Sequence, residues 1–128
     1  MPDAFVVASE LRGSTERTYK ALNKAVRKTA QLGLARVRAR ASGRPGPRRI
    51  TGDYKRSMSI VYLDALVASI GTNAPQAARL EYGFVGEDAL GRNYAQPPFP
   101  HWRPMADELP EILAANVDAA LREGGLVA

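Results

Sequence analysis

The chain's 128 residues suit one domain with a core of its own, and its formal net charge is +5. It has no cysteine, which excludes disulfides, thiolate nucleophiles and thiolate metal ligands and fits synthesis in a reducing cytoplasm. No run approaches the roughly 18 apolar residues of a membrane span, and residues 1–10 lack a signal-peptide pattern, so we expect a soluble chain without a membrane partner.

The first predicted element is a long amphipathic helix over Ser14–Ala41. Apolar residues recur there at steps of three and four: Tyr19, Leu22, Val26, Ala30, Leu34, Val37 and Ala41. Ser14 suits the N-cap, and the arginines near the C-terminal end suit the helix dipole. At 1.5 Å per residue this helix would be about 40 Å long, more than a domain of this size needs. We therefore expect it to pack partly on a partner subunit or to break near Gly33.

Residues 42–51 are predicted to form a flexible basic loop. Glycines and prolines oppose a helix there, and Arg44, Arg48 and Arg49 keep the segment solvated. Reversing the charge of these three arginines is expected to weaken assembly if the loop contacts a neighbouring subunit.

Short elements follow the loop. Gly52–Ser59 is expected to begin with a helical turn. Two β-rich runs come next, Ser59–Leu63 and Ala65–Ile70, hinged at Asp64. We expect Gln76–Tyr82 to be a short helix.

That short helix is expected to deliver Leu80 and Tyr82 to the core. The stretch from Gly86 to Tyr94 is then predicted to be an exposed contact loop, because its glycines and polar residues suit an irregular surface.

A second helix is predicted over Met105–Leu121. Its apolar face comprises Met105, Leu109, Ile112, Leu113, Val117, Ala120 and Leu121. Pro110 requires either a start near Asp107 or a kink. Residues 124–128 are predicted to be a loose tail. The elements predict a single α+β domain, in which a long N-terminal helix and a C-terminal helix pack on a small, mainly antiparallel sheet with an irregular loop insertion.

No constellation of catalytic residues is evident. His101 is the only histidine and has no second histidine or cysteine to share a transition metal. Glu81, Glu87 and Asp88 do not have calcium-loop spacing, and the nearby glycines form no phosphate-binding loop. We therefore expect no enzyme activity, no metal and no cofactor.

Short motifs in a defined order resemble those of a known family. They are Thr51-Gly52-x-x-Lys55-Arg56-Ser57, then Ala78-x-Leu80-Glu81-Tyr82-Gly83-Phe84, then Gln96-Pro97-Pro98-Phe99 and Arg103-Pro104-Met105-Ala106. Together they resemble the neck, or tail-completion, proteins of long-tailed bacteriophages, over most of the chain from about Ala21 to Leu121. Two places depart from the family pattern and concern local packing. Tyr54 stands where leucine is usual, and His101 with Trp102 replaces a phenylalanine-leucine pair.

The resemblance implies a virion structural protein without catalysis or cofactor. Its expected form is a ring of this chain, with six copies, between the head-closure (stopper) protein and the tail terminator or tail tube protein. The chain would be made in the bacterial host cytoplasm and located at the neck of the virion. The implied interface or structural positions are Gly52, Arg56, Ser57, Glu81, Tyr82, Gly83, Phe99, Trp102, Arg103 and Pro104.

Two questions about these positions stay open in the sequence. Phe99 and Trp102 suit either an interface anchor or the cap of the domain core, since aromatic side chains supply large contact areas in both places. Glu81 suits a carboxylate that holds neighbouring backbone N–H groups or an arginine.

Charge is unevenly distributed along the chain. Residues 1–60 hold 14 Lys or Arg against 4 acids, a net +10, and residues 61–128 hold 4 against 9, a net −5. This pattern suits a solvated helix face with a basic loop, non-specific contact with DNA phosphates, or self-assembly in which the basic half of one subunit faces the acidic half of its neighbour. The residues expected to face a partner or passing DNA are Arg36, Arg38, Arg40, Arg44, Arg48 and Arg49. The alternative functions are a basic nucleic-acid-binding module without catalysis and, third, a small nuclease built around His101.

Overall fold

The fold is seen in a computed structural model that describes residues 4–41, 52–87, 90–91 and 93–127. The elements within these residues are α1 (Ala4–Arg40), α2 (Gly52–Ser57), β1 (Ser59–Asp64), β2 (Val67–Gly71), α3 (Ala77–Tyr82), β3 (Phe84–Glu87), β4 (Asn93–Gln96) and α4 (Trp102–Glu123). The predicted α+β class is confirmed, with two long helices and small antiparallel hairpins. Of the described helices, none has the length and apolar character that a membrane crossing requires.

Helix α1 begins earlier than the sequence predicted. It starts at Ala4, so Ser14 lies inside the helix and the prediction that it is the N-cap is wrong. Gly13 and Ser14 resemble a helix start in composition, but the residues on either side of them sustain the helix, and one glycine in a helix interior costs only about 1 kcal/mol.

Gly33 does not break α1, because it faces the core. A Cβ atom at this position would lie 2.6 Å from Ile70 Cδ1 and 3.0 Å from Leu109 Cδ2. The missing side chain therefore lets β2 and α4 approach the helix closely. The predicted break at Gly33 is wrong, and the helix runs on to Arg40.

Helices α1 and α4 pack antiparallel and form the body of the domain. Lys24 pairs with Glu123 near one end, at 2.5 Å, and Arg36 pairs with Glu108 near the other, also at 2.5 Å. A small cluster of Ala21, Ala25 and Ala120 lies near the Lys24 end. The larger core cluster joins α1, α2 and α4 through Val37, Ala41, Tyr54, Met58 and Met105.

The β1–β2 hairpin packs on α1 with one face. Ile60 and Ile70 are direct cross-strand partners, and Ile70 is the residue that contacts the Gly33 position. Because side chains alternate between the faces of a strand, Val61 falls on the opposite face, where it is exposed. The predicted break between the two runs lies one residue later than expected: Asp64 ends β1, and Ala65 and Leu66 form the turn. Asp64 Oδ1 accepts a hydrogen bond from the backbone N–H of Leu66 at 3.0 Å, which closes this turn.

Helix α3 presents a different residue to the core than the sequence predicted. Leu80 packs against the larger core cluster, as expected, but Tyr82 is 79% exposed, so its predicted core role is wrong. Two residues along a helix correspond to a rotation of about 200°, which places Tyr82 opposite Leu80. The buried neighbour is Glu81, which is only 6% exposed.

Part of the predicted contact loop is a second hairpin. Strand β3 pairs with β4 in antiparallel register, with Gly86 opposite Tyr94. Val85 and Leu90 are largely exposed at this hairpin, and Gly91 has a φ of 77°, which favours glycine. The described part of this segment is therefore a hairpin, and most of the surface of Val85 and Leu90 is exposed there.

Helix α4 starts before Met105, at Trp102, and continues to Glu123. Pro110 lies in its interior, so the alternative start near Asp107 is wrong. The predicted loose tail begins with a closing turn at Gly125, whose φ is 71°. The N–H of Gly125 donates a hydrogen bond to Arg122 O at 3.1 Å, and the N–H of Leu126 donates one to Leu121 O at 2.9 Å. This pair of hydrogen bonds defines a Schellman motif.

Candidate functional site

Glu81 organises the junction between α3 and α4. Its Oε1 accepts hydrogen bonds from the backbone N–H groups of His101 (2.9 Å) and Trp102 (2.8 Å), and its Oε2 accepts one from Arg103 (3.0 Å). These residues are the N-cap and the first two positions of α4, and His101 makes no side-chain cap of its own. A carboxylate from another helix therefore caps α4. The prediction that Glu81 holds backbone N–H groups is confirmed.

Pro104 completes this cap. A helix begins with four N–H groups that have no acceptor within the helix. Glu81 accepts the first three, and Pro104, at the fourth position, has no N–H to satisfy. The glutamate and the Arg103-Pro104 step, which lie in separate motifs of the sequence, are thus two halves of one helix start.

The electrostatics of Glu81 favour its charged form. Burial alone would raise the pKa of the Glu81 carboxyl, but the hydrogen bonds from the backbone N–H groups of His101, Trp102 and Arg103 outweigh it and hold this pKa below its ordinary value. The positive end of the α4 dipole acts in the same direction. The carboxylate is therefore an ionised anchor at the start of the helix.

Behind the cap lies a buried polar network of Tyr54, His101 and Trp102. His101 is fully buried, and its Nδ1 lies 2.8 Å from the carbonyl oxygen of Phe99, which can only accept. This assigns the ring proton to Nδ1 and leaves Nε2 to accept from the Tyr54 hydroxyl at 2.7 Å. The Tyr54 oxygen in turn accepts from Trp102 Nε1–H at 3.2 Å. Among the described residues, every buried side-chain nitrogen or oxygen has a hydrogen-bond partner.

Burial raises the pKa of the Tyr54 hydroxyl, against the opposing effect of the hydrogen bond from Trp102, and the negative charge of Glu81 raises it further. Tyr54 therefore keeps its proton as a donor to His101. Tyr54, His101 and Trp102 are the positions at which the sequence departs from the family pattern, and the structure brings them into direct contact. Tyr54 is not among the positions predicted from the sequence, and His101 appears there only as the centre of the alternative nuclease. The signal that points to both is that polar aromatic residues stand where the family pattern has apolar ones.

Helix α2 is fastened by Arg38 and Ser57. Arg38 donates from Nε to Lys55 O at 3.2 Å and from Nη2 to Met58 O at 2.8 Å, at the C-terminal end of α2 where cations are favoured. Ser57 Oγ donates to Tyr54 O and contacts Thr72 Oγ1, both at 2.5 Å. The side chain of Arg38 thus bonds to its own chain.

Other motif residues shape the backbone near the junction. Gly83 ends α3 with a φ of 81°, a conformation that favours glycine. Phe99 is half-buried and holds the loop before α4, because its N–H bonds Leu80 O at 2.7 Å and its carbonyl accepts from His101. Arg56 is exposed, pairs with Asp53 within α2 and lies beside Gly52. The Gly52 and Arg56 positions of the first motif therefore lie at the surface.

Of the predicted partner-facing arginines, those in α1 have intramolecular contacts. Arg36 and Arg40 both pair with Glu108 of α4, so opposite charges from the two halves of the sequence meet within one chain. Arg44, Arg48 and Arg49 lie outside the described residues, and their role stays a prediction. Exposed cations also form a stripe along α1 at helical spacing, comprising Arg17, Lys20, Lys24, Arg27 and Lys28.

An apolar groove runs between the β1–β2 hairpin and α4, with α1 as its floor. Its volume is about 740 Å³, and its apolar lining includes Val26, Ala30, Leu66, Val67, Leu109 and Leu113. Tyr82 and Trp102 flank it at the Glu81 end, and Arg103 lies on its rim. Exposed apolar residues around a concave surface are typical of contact sites.

The buried network presents little for chemistry on a substrate, because His101 has no exposed surface. Within the described residues, no three His, Asp or Glu side chains are grouped so that they could hold a metal ion. What the arrangement does is join α2, α3 and α4 rigidly beside an open groove.

Trp102 contributes to the core as well as to the groove, since it packs against the larger core cluster and bonds Tyr54. We expect Trp102→Ala to lower the free energy of unfolding by about 3–5 kcal/mol, measured by denaturant unfolding of the isolated protein. Tyr82→Ala, at an exposed position of the same groove, is the control and should change it by about 0.5 kcal/mol or less. Equal stability of the two variants would contradict the core role and favour an interface role for Trp102.

Comparisons of the chain with protein families, with curated proteins and with solved structures found no match.

Proposed function

We propose that this chain is a structural neck protein of a long-tailed bacteriophage virion. It would form a ring, with six copies expected, that joins the head-closure complex to the tail terminator or tail tube and so completes the tail. This role needs no catalysis and no cofactor. It places the mature protein in the virion, after synthesis in the host cytoplasm.

One observation carries the proposal: the motifs on which the resemblance rests converge on one junction. Glu81 of the glutamate-aromatic-glycine motif holds the N–H groups that open the Arg103-Pro104 helix start. Ser57 of the first motif bonds the carbonyl of Tyr54, and Tyr54 completes the network beneath that start. Glu81 and the Arg103-Pro104 step depend on one another, which gives a physical reason for these two motifs to occur together. Tyr54, His101 and Trp102 depart from the family pattern, so their network belongs to this chain.

The surface is compatible with a connector. A closed ring needs two different patches on each subunit, one complementary to the other. The described residues offer the apolar groove, the exposed β3–β4 hairpin and the cationic stripe of α1 as separate patches. The stripe suits non-specific contact with DNA passing through the neck, because cations neutralise phosphates without reading bases.

The proposal can be tested in a phage whose genome encodes this chain, by introducing an early stop codon into the gene and examining the particles that form. We expect DNA-filled heads and complete tails to accumulate unjoined, and purified chain added to the lysate to join them. Addition of the Trp102→Ala variant, which is destabilised, should join them less well than Leu63→Ala, which is exposed and does not line the groove. Joined, infectious particles in the absence of the chain would contradict the proposal and favour the alternative of a nucleic-acid-binding module.

A further inference from the structure

Helix α1 begins at Ala4, well before the position at which it faces the end of α4. Ala21 is the first residue of α1, among those with described side chains, that is buried, and it lies opposite Ala120 near the end of α4. Ala21 lies 17 positions after Ala4, which corresponds to about 25 Å of helix. We call Ala4–Leu11 the N-terminal arm.

The arm is apolar in sequence on every side of its first turn. Positions 4 to 8 read Ala-Phe-Val-Val-Ala, and Leu11 follows one turn later. A surface helix normally alternates apolar and polar faces, whereas a turn that is apolar all round is usually buried. The arm therefore has the composition of a segment that is covered by something else.

The apolar groove has the complementary character. Its volume of about 740 Å³ falls within the range of about 300–1,000 Å³ typical of pockets that bury a ligand, so it has room for several large side chains. Leu113 of α4 is 38% exposed and Val67 of the hairpin 48% exposed at its sides. These side chains remain partly in contact with water that an apolar occupant would displace.

A chain cannot fill its own groove with its own arm. Val26 of the groove floor and Val7 of the arm belong to the same uninterrupted helix, 19 residues apart, so a rigid rod of about 28 Å separates them. The arm can therefore reach such a groove only on another copy.

We propose that the N-terminal arm of one copy docks in the apolar groove of a second copy. The contact joins two different patches, arm and groove, so it is heterologous and suits ring closure. The inference deepens the proposed function and rests on it for the closed ring, although the arm–groove contact itself is a property of the isolated chain.

The chain has no cysteine, so cysteine pairs report this contact cleanly. Full-length Val7→Cys protein mixed with full-length Leu113→Cys protein should give a disulfide-linked dimer under mild oxidation. The matched control replaces Leu113→Cys by Leu63→Cys, which is 68% exposed on the same domain but does not line the groove. Equal yields from the two mixtures would overturn the proposal.

Substitutions in the arm test the same contact without cross-linking. Phe5→Asp with Val7→Asp adds charge to the first turns of α1, where the helix dipole favours acids, so the helix should persist. Sedimentation should show self-association weakened at least about tenfold, because burial of large apolar side chains is lost. Leu113→Glu should have the same effect and Leu63→Glu none.

A wild-type chain that stays monomeric at its highest soluble concentration would also overturn the contact. Failure of the proposed function is distinguishable from failure of the contact. Arm–groove cross-links in a chain that is dispensable for joining heads to tails would keep the contact and remove the neck role. Joining that persists with the Phe5→Asp, Val7→Asp variant would keep the neck role and remove the contact.

Discussion

Replacing Glu81 with alanine is expected to lower the free energy of unfolding by about 3–5 kcal/mol, one of the largest effects of any single substitution in this chain. The reason is that the three N–H groups that open α4 would lose a charged acceptor in a buried place. Denaturant unfolding measures the change. Glu111→Ala, at an exposed position of α4, is the matched control and should alter stability by about 0.5 kcal/mol or less. Similar stabilities for the two variants would contradict the capping role.

The same carboxylate predicts a pH dependence with a definite sign. The pKa of Glu81 is lowered from its ordinary 4.5 in the folded protein, so the folded state binds fewer protons than the unfolded chain near that pH. The stability that Glu81 contributes is therefore complete above about pH 4.5 and is lost as the pH falls through the lower folded value. The Glu81→Gln variant cannot lose a proton, so its deficit relative to wild type should be largest near neutral pH and should shrink on acidification. A deficit that is constant with pH would count against an ionised cap.

The second large effect is expected at Tyr54. Tyr54→Leu, which introduces the residue usual in the family it resembles, would remove the partner of His101 Nε2 and of Trp102 Nε1. We expect a loss of about 3–5 kcal/mol in the free energy of unfolding, from two unsatisfied polar groups together with lost packing.

A double-mutant cycle makes that expectation specific. The first variant of the cycle is Tyr54→Leu, and the second is His101→Phe with Trp102→Leu. The triple variant combines them. Because the triple variant also removes the His101 Nε2 and Trp102 Nε1 groups that Tyr54→Leu alone leaves unpaired, its loss should be smaller than the sum of the separate losses by about 1–3 kcal/mol. Tyr19→Leu, at an exposed position of α1, is the control and should show no such coupling to the pair. Additive losses around the Tyr54 cycle would mean that the three side chains do not act as a unit.

The sequence predicted the elements of the fold better than their ends. Helix α1 and helix α4 follow from apolar residues at steps of three and four, and the β1–β2 hairpin from two runs of β-forming residues on either side of Asp64. The start of α1 was missed because Gly13 and Ser14 mimic a helix boundary. A glycine within a helical pattern predicts a break at Gly33, whereas in the structure Gly33 allows close packing that depends on Ile70 and Leu109 from distant parts of the chain.

The candidate site was also predictable only in part, because its contacts join residues that lie far apart in the sequence. For Glu81 the sequence left two partners open, backbone N–H groups or an arginine, because the groups that a carboxylate meets depend on tertiary structure. Tyr82 was assigned to the core in its place, since an aromatic residue beside an acid is usually the buried one. His101, the sole histidine, had no partner in the sequence, and its contact with Tyr54 spans 47 residues.

An image of the neck tests the central claim most directly. Virions of a phage that encodes this chain would be purified and the head–tail junction resolved by cryo-electron microscopy. The account predicts a ring of copies between the head-closure complex and the tail, each fitting the antiparallel α1–α4 body, with the start of α1 lying in the groove of the neighbouring copy. Virions whose neck contains no density that fits this body, and whose proteins do not include this chain, would contradict it.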